Sequence, residues 1–319
     1  MKIVITGRNF TTYDTHAMQK LIDAGHQVVD YSFADMGSGT SENEVYEAVK
    51  DTDIAIAGLE PYRKRLIDKC PRLKMISRRG VGYDTIDVET CKANGITLAR
   101  TVGAVEGSVA EHVMAYILYF SRRLDLQNQI MQSGGWKRIL MPGAKSRTLG
   151  LVGFGGIGKE IAKRALPFGM KIVYYCRHPK KEWETAYGVT YVELDELLSA
   201  SDYVSVNIPL TASTRGMFDL TMFQKMKKGS YFINIARGPI IDPHALKTVL
   251  DHHHLAGAGI DVFDSEPCTD SPLIGCSNAV LTPHTAPYTE ENFTEMNENA
   301  AQNVLDYLAG KLPEKNRVV

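Results

Sequence analysis

The chain has 319 residues, 44% of them apolar, which is enough for two domains with a core each. Its 36 basic and 37 acidic residues leave a net charge of −1, so no long-range field favours nucleic acid or an acidic membrane surface. The five cysteines, Cys70, Cys91, Cys176, Cys268 and Cys276, form no CxxC pair; a disulfide framework and a zinc knuckle are both disfavoured, and a reducing, cytoplasmic setting is expected.

Met1 leads at once into the strand-like KIVIT, with no signal-type basic and apolar regions, and no apolar run approaches the ~18 residues of a membrane span. Short apolar runs at Ile3 to Ile5, Val28 to Tyr31, Ile54 to Ala57, Leu73 to Ile76 and Ile96 to Leu98 alternate with amphipathic stretches. That alternation predicts a parallel β/α sheet. Next comes SVAEHVMAYILYFSRR, Ser108 to Arg123, a long apolar helix with a capping-box spacing between Ser108 and Glu111, placed as an interdomain crossover. The excess apolar surface of Tyr116, Ile117, Tyr119 and Phe120 is expected at a homodimer seam or in an interdomain core.

The strand pattern restarts at Thr148 with TLGLVGF, KIVYY, YVSVNI, YFINI, AGAGIDV and AVLT, a second sheet of about six strands. GFGGIG, with Gly153, Gly155, Gly156, Ile157 and Gly158, lies between the first of these strands and a helix-like KEIAKRALPFG. In that context Gly153 permits the tight turn, Gly155 lets backbone approach a pyrophosphate, and Gly158 lets helix and strand pack closely. The helix N-terminus supplies the unpaired N–H groups that attract phosphate. Where the following strand ends, a carboxylate for ribose hydroxyls would be usual, but the chain has Cys176, Arg177 and His178. Losing the carboxylate removes repulsion of a 2′-phosphate and the guanidinium adds charge-assisted bonds, so NADP(H) is the expected cofactor, with NAD(H) as the alternative.

Three later strands each end in one charged residue: Arg237 in INIARGPI, Glu266 in IDVFDSEP and His284 in AVLTPHTAP. A fixed cation, a carboxylate and an imidazole are the parts needed to reduce a carbonyl beside a carboxylate. The histidine run at 252 to 254 reads as a helix end that complements the dipole, and no metal site is expected. A final amphipathic helix ending at Gly310 has no adjacent strand and is expected to return to the first domain. The expected architecture is therefore α/β, two Rossmann-like domains with doubly wound parallel sheets. Residues 1–101 plus 286–319 form a flavodoxin-like substrate domain, and 102–285 form the dinucleotide-binding domain.

RRGVGYDTID at 78–87, SVAEH at 108–112, GFGGIG, SVNIPLTAST at 205–214, INIARG at 233–238, GIDVFDSEP at 259–267 and LTPHTA at 281–286 together resemble the D-isomer-specific 2-hydroxyacid dehydrogenases. That family includes phosphoglycerate, glycerate, D-lactate and hydroxypyruvate/glyoxylate members, and the resemblance covers essentially the whole chain. It implies that Arg237 binds the substrate carboxylate, that His284 is the general acid, and that Glu266 orients it and raises its pKa. It further implies carboxylate capture by the backbone of Gly80, Val81 and Gly82. Asp261 is implied at the nicotinamide carboxamide, and Asn207, Pro209, Thr214, Ile235 and Ala236 along the cofactor. Trp136 matches a loop that reaches the partner in homodimers of this kind. The regulatory domain of longer phosphoglycerate dehydrogenases, and with it feedback control by serine, is not expected.

Arg78 stands where phosphoglycerate dehydrogenases carry an arginine; Arg79, Arg63, Lys64 and Arg65 are further candidates for an anionic substrate. Pro287 and Tyr288 replace the small residues usual after the histidine, which narrows the expected substrate. The leading expectation is reduction of a small 2-oxo acid such as glyoxylate or hydroxypyruvate. A short 3-phosphoglycerate dehydrogenase is the runner-up. Oxidation of an inorganic anion such as phosphite, and a nucleotide-sensing, corepressor-like scaffold, are the remaining readings.

Overall fold

A computed structural model of the chain describes residues 1–32 and 39–319. The chain divides into two units, Met1–Val105 with Pro287–Val319, and Glu106–Ala286. The first unit begins with β1 (Lys2–Ile5), α1 (His16–Asp23), β2 (Gln27–Asp30), α2 (Glu42–Val49), β3 (Ile54–Ala57), α3 (Lys64–Ile67), β4 (Met75–Arg78), α4 (Val88–Ala93) and β5 (Thr97–Arg100). Its strands are parallel in the order β2-β1-β3-β4-β5, the flavodoxin-like order. Every residue of β3 and β4 is buried, as strands covered on both faces must be. Expected as Leu73 to Ile76, β4 is in fact displaced two residues towards the C-terminus, so Arg78 closes the strand instead of opening the loop.

The second unit holds α5 (Glu106–Arg122), α6 (Leu124–Gln132), β6 (Thr148–Val152), α7 (Gly156–Ala165), β7 (Lys171–Tyr175), α8 (Lys181–Tyr187), β8 (Thr190–Tyr191) and α9 (Leu194–Ala200). It continues with β9 (Tyr203–Val206), α10 (Leu220–Lys225), β10 (Tyr231–Asn234), α11 (Pro243–Asp251), β11 (Gly257–Ile260) and β12 (Ala279–Leu281). All seven strands are parallel in the order β12-β11-β10-β9-β6-β7-β8. The strand beyond the six expected is β8, whose two residues are too short to leave a periodic signal.

Helix α5 starts two residues before Ser108, with Glu106 supplying the acid in its first turn, so the expected Ser108 cap lies inside the helix. Its apolar face is spent within the second unit. Tyr116, Ile117 and Phe120 are buried, the Tyr116 ring fills the space that a Cβ at Gly259 of β11 would need, and Phe120 stacks on Tyr231 at 4.7 Å. These three residues therefore pack a core, which corrects their reading as a dimer seam. At the end of α11 the His252 Nδ1 approaches the Thr248 carbonyl at 2.7 Å, and His254 Nε2 reaches the Met226 carbonyl at 3.0 Å. Among the described residues no group of three or more His, Cys, Asp or Glu side chains is placed to hold a metal ion.

The last helix, α12 (Glu290–Leu308), packs on α1, β3, β4 and β5 of the first unit. Its buried face is tied in by polar contacts as well as apolar ones. Ser77 donates to the Ala300 carbonyl at 2.9 Å, and Asn303 donates to the Arg100 carbonyl at 3.1 Å. Among the described residues no helix is long and apolar enough to cross a membrane.

Candidate functional site

In the second unit the chain reverses its winding direction between β6 and β9, the position at which a parallel sheet opens a crevice at its carboxyl edge. Gly153 follows β6 there with φ +101°, a conformation that L side chains rarely adopt, and a Cβ on it would lie 2.6 Å from the Asn207 carbonyl oxygen after β9. Gly158 is closed in the same way, since its Cβ would sit 2.5 Å from the Gly153 carbonyl oxygen. Gly155, the residue capping α7, has nothing within 4 Å of where a Cβ would stand. Two glycines are thus required by protein atoms and one faces open space at a helix N-terminus, which is the cradle a pyrophosphate needs. A nicotinamide dinucleotide fits this donor set. Gly156 sits against the Glu106 side chain, and Ile157 is half-buried in the first turn of α7.

Cys176 is half-buried directly after β7, its thiol donating to the His178 carbonyl at 3.0 Å, while Arg177 and His178 are exposed. Among the described residues Arg177 makes no hydrogen bond or ion pair. After β9, Thr214 Oγ1 donates to the Pro209 carbonyl at 2.7 Å and accepts from the Thr211 N–H at 2.8 Å, which closes the 209–214 turn. Ile235 is buried, and the Ala236 N–H donates to Asn234 Oδ1 at 3.0 Å, so the backbone after β10 is locked just before Arg237.

Arg237, Glu266 and His284 follow β10, β11 and β12, three adjacent parallel strands, and so share one edge of the sheet. His284 Nδ1 and Glu266 Oε2 are 2.7 Å apart, and the other carboxylate oxygen accepts from the Phe263 N–H at 3.0 Å. Burial alone would raise the Glu266 pKa. The hydrogen bond and charge of His284, the Phe263 N–H and the Arg237 charge outweigh it and hold the carboxyl below its ordinary value. An ionised carboxylate only accepts, so Nδ1 carries the proton of this bond and Nε2 is left for chemistry. Both side chains are about 20% exposed, which leaves the imidazole accessible without making it fully solvated.

His284 adopts φ +53°, an uncommon conformation for a residue with a Cβ, costing about 1–3 kcal/mol. Asp261 supplies the compensation. Its carbonyl accepts from the His284 N–H at 2.8 Å, and its carboxylate accepts from the Thr285 N–H at 2.8 Å, the Ala286 N–H at 2.9 Å and Thr282 Oγ1 at 2.6 Å. Asp261 has no exposed surface, and its carboxylate shapes the loop that carries the imidazole. Thr282 Oγ1 is held in turn by Tyr116 Oη at 2.5 Å and by His112 Nε2 at 3.2 Å. Thr282, Tyr116 and His112 escaped the sequence reading as site residues because their partners lie far along the chain.

In the first unit, Gly80, Val81 and Gly82 follow β4. Gly80 has φ +131°, donates its N–H to Thr101 Oγ1 at 2.8 Å, and has the Arg78 guanidinium 2.5 Å from where a Cβ would stand. Val81 and Gly82 are half-buried, and Arg78 is 5% exposed. The Arg79 guanidinium donates to Asn297 Oδ1 at 2.9 Å and to the Arg8 carbonyl at 2.6 Å, and it lies over the Phe293 ring at 4.9 Å. Burial brings its pKa down to about 10. Two of its five N–H groups are thus spent on the protein, and through Asn297 it anchors α12. Arg63, Lys64 and Arg65 are exposed around the start of α3, with Arg63 donating to the Asp84 carbonyl at 2.9 Å and Lys64 paired with Asp68 at 2.9 Å.

A family model described as "D-isomer specific 2-hydroxyacid dehydrogenase, NAD binding domain" matches residues 114–286. Glyoxylate reductase of Thermococcus litoralis is 37% identical over 277 residues, covering 84% of this chain and 84% of that protein. Glyoxylate/hydroxypyruvate reductase B of Salmonella newport is 38% identical over 266 residues, covering 81% of this chain and 82% of that one. Among solved structures, a D-lactate dehydrogenase of Aquifex aeolicus complexed with NAD and lactic acid superimposes with a TM-score of 0.87 at 30% identity, covering 100% of this chain and 99% of the other.

Proposed function

The chain belongs to the D-isomer specific 2-hydroxyacid dehydrogenases, and from that premise we propose that it reduces a small, unphosphorylated 2-oxo acid of the glyoxylate or hydroxypyruvate type to the D-2-hydroxy acid, with NADPH preferred. As a member of that family it is an NAD(P)-dependent oxidoreductase. The observation that carries the mechanistic reading is the 2.7 Å contact between His284 and Glu266 at the sheet edge shared with Arg237.

Each unit offers its own means of holding a substrate carboxylate, Arg237 in the second and the backbone around Gly80 to Gly82 in the first, and the Arg237 charge polarises a carbonyl beside it. When bound along Gly153 to Gly158, the nicotinamide dinucleotide supplies a hydride to the carbonyl carbon. His284 gives the proton on Nε2 to the carbonyl oxygen, and Glu266 stabilises the imidazolium before transfer and fixes its ring plane. In the reverse direction the same nitrogen accepts the hydroxyl proton. Asn207 and the 209–214 turn flank the dinucleotide, and Asp261 acts through the backbone of the His284 loop.

NADPH preference rests on Arg177, an exposed guanidinium with no hydrogen-bond or ion-pair partner among the described residues at the end of β7, beside Cys176 where a carboxylate would repel a 2′-phosphate. Arg177→Ala should raise the KM for NADPH about tenfold or more while changing that for NADH less than threefold, because one charge-assisted bond to a phosphate is lost. Parallel initial-rate titrations of both coenzymes measure this; equal effects on the two would remove Arg177 as the selector.

The protein is further proposed to act as a homodimer in a reducing, cytoplasmic compartment, its five thiols being unpaired. The segment from α6 to β6 displays Leu124 (68% exposed), Trp136 (78%) and Leu140 (100%), an apolar display that a partner subunit would cover. Trp136→Asp should shift the mass measured by light scattering from dimer towards monomer. A dimer unaffected by that charge would place the interface elsewhere.

A further inference from the structure

The sheet of the first unit has its own reversal point, between β1 and β3, and two glycines face each other there. A Cβ on Gly58 would lie 3.0 Å from the Gly7 Cα and 2.7 Å from Glu60 Oε2. Glu60 is a carboxylate only 3% exposed. One oxygen, Oε1, is fully engaged: it accepts from the Gly58 N–H at 2.8 Å and from the Thr6 hydroxyl, which also contacts the Tyr62 hydroxyl at 2.7 Å. The other oxygen, Oε2, accepts no hydrogen bond from the described residues. The side chain as a whole is nearly buried, yet Oε2 is not one of the sealed-off atoms that lack a partner, so it stays reachable and open to a donor.

The surroundings give that oxygen a direction of use. The N–H of Arg79, which leads into the Gly80 to Gly82 loop, donates to the Ala57 carbonyl at the end of β3 at 2.8 Å, and Glu60 lies three residues further along from Ala57. Neighbouring strands are about 4.8 Å apart, so Glu60, after β3, and the Gly80 to Gly82 loop, after β4, stand side by side at one edge of the sheet. Two of the cations nearby are committed to the protein: Arg79 to Asn297 and Arg8, and Lys64 to Asp68.

We propose that Glu60 is a specificity-determining residue whose Oε2 accepts from the distal group of the substrate. It favours an unphosphorylated 2-oxo acid carrying a hydroxyl or ammonium donor on the carbon beyond the carbonyl, and disfavours a phosphate or second carboxylate at that position. The assignment rests on the proposed capture of the substrate carboxylate by the Gly80 to Gly82 loop. A carboxylate offers only acceptors, so a donor-bearing substrate satisfies the unmatched oxygen and an anionic one meets like charge in a poorly solvated place.

The test compares kcat/KM for glyoxylate, hydroxypyruvate and 3-phosphohydroxypyruvate in the full chain and in Glu60→Gln. Glutamine keeps an oxygen for Gly58 and Thr6 and replaces the free oxygen by a neutral donor. The ratio of hydroxypyruvate to glyoxylate should fall about tenfold, and the ratio of 3-phosphohydroxypyruvate to glyoxylate should rise. Thr6→Val, which loosens the brace without touching the free oxygen, should lower the melting temperature and leave both ratios unchanged. If Glu60→Gln lowers all three substrates in proportion, or if Thr6→Val moves the ratios equally, Glu60 is a loop brace and the proposal is overturned. Wild-type protein that turns over no 2-oxo acid would instead overturn the proposed function, a separate result read before any variant is made.

Discussion

His284→Ala is expected to lower kcat for 2-oxo acid reduction by about three orders of magnitude, the contribution typical of a positioned general acid, while NADPH still binds. The reason lies in how narrowly the imidazole is specified. Its Nδ1 is tied to Glu266 at 2.7 Å, and its backbone is bent to φ +53° by bonds to Asp261. No other imidazole or acid occupies that loop, so a methyl group leaves proton delivery to solvent. Because Arg237 remains, KM should move only a few-fold, the pattern of an interaction made chiefly in the transition state. Steady-state rates with a fluorescence titration of NADPH measure both quantities; a kcat within tenfold of wild type would remove His284 from the chemistry.

Gly238→Ala should cause the largest combined loss of stability and activity in the second unit. A Cβ at 238 would lie 1.9 Å from the Phe263 carbonyl carbon and 2.4 Å from the Asp264 nitrogen, both backbone atoms that no rotamer change can clear. The segment after β10 or the one after β11 must move, and the latter carries the Phe263 N–H that holds Glu266. Overpacking of this kind costs about 3 kcal/mol, a fall of roughly 6–12 °C in the unfolding midpoint for a unit of this size. A displacement of about 1 Å between Arg237 and the Glu266–His284 pair should cost about a hundredfold in kcat/KM. Thermal melts and rates on the same preparation check both; a variant with wild-type melting and activity would mean that the contact between these two turns carries no positional information.

Gly153 and Gly158 were legible because a glycine forced by neighbouring backbone leaves a fixed spacing between strand and helix, and the structure supplies the atoms, Asn207 and Gly153 itself, that force it. Arg237, Glu266 and His284 are legible because each lies in the loop after a strand, and adjacent parallel strands bring those loops to one edge. The Arg79 contact is not legible, because a basic residue beside a loop gives no sign of whether it faces solvent or, as here, an asparagine 218 residues away. Tyr116 looked like surplus apolar surface, whereas its ring fills the space left by Gly259 and its hydroxyl reaches Thr282, 166 residues distant. Asp261 was recognised as a site position, but only the coordinates show its carboxylate spent on the backbone that bends His284. Glu60 carries no motif signal and Gly238 only the end of INIARG, and the meaning of both comes from contacts across the chain.

The central claim is that this constellation reduces an unphosphorylated 2-oxo acid with NADPH. The most direct measurement is the initial rate of coenzyme oxidation by the wild-type chain, with NADPH and NADH at matched concentrations, against glyoxylate, hydroxypyruvate and 3-phosphohydroxypyruvate. The account predicts the fastest turnover with NADPH and hydroxypyruvate, with glyoxylate next and the phosphorylated acid far behind. Preferred turnover of 3-phosphohydroxypyruvate with NADH would contradict it and make this a short phosphoglycerate dehydrogenase.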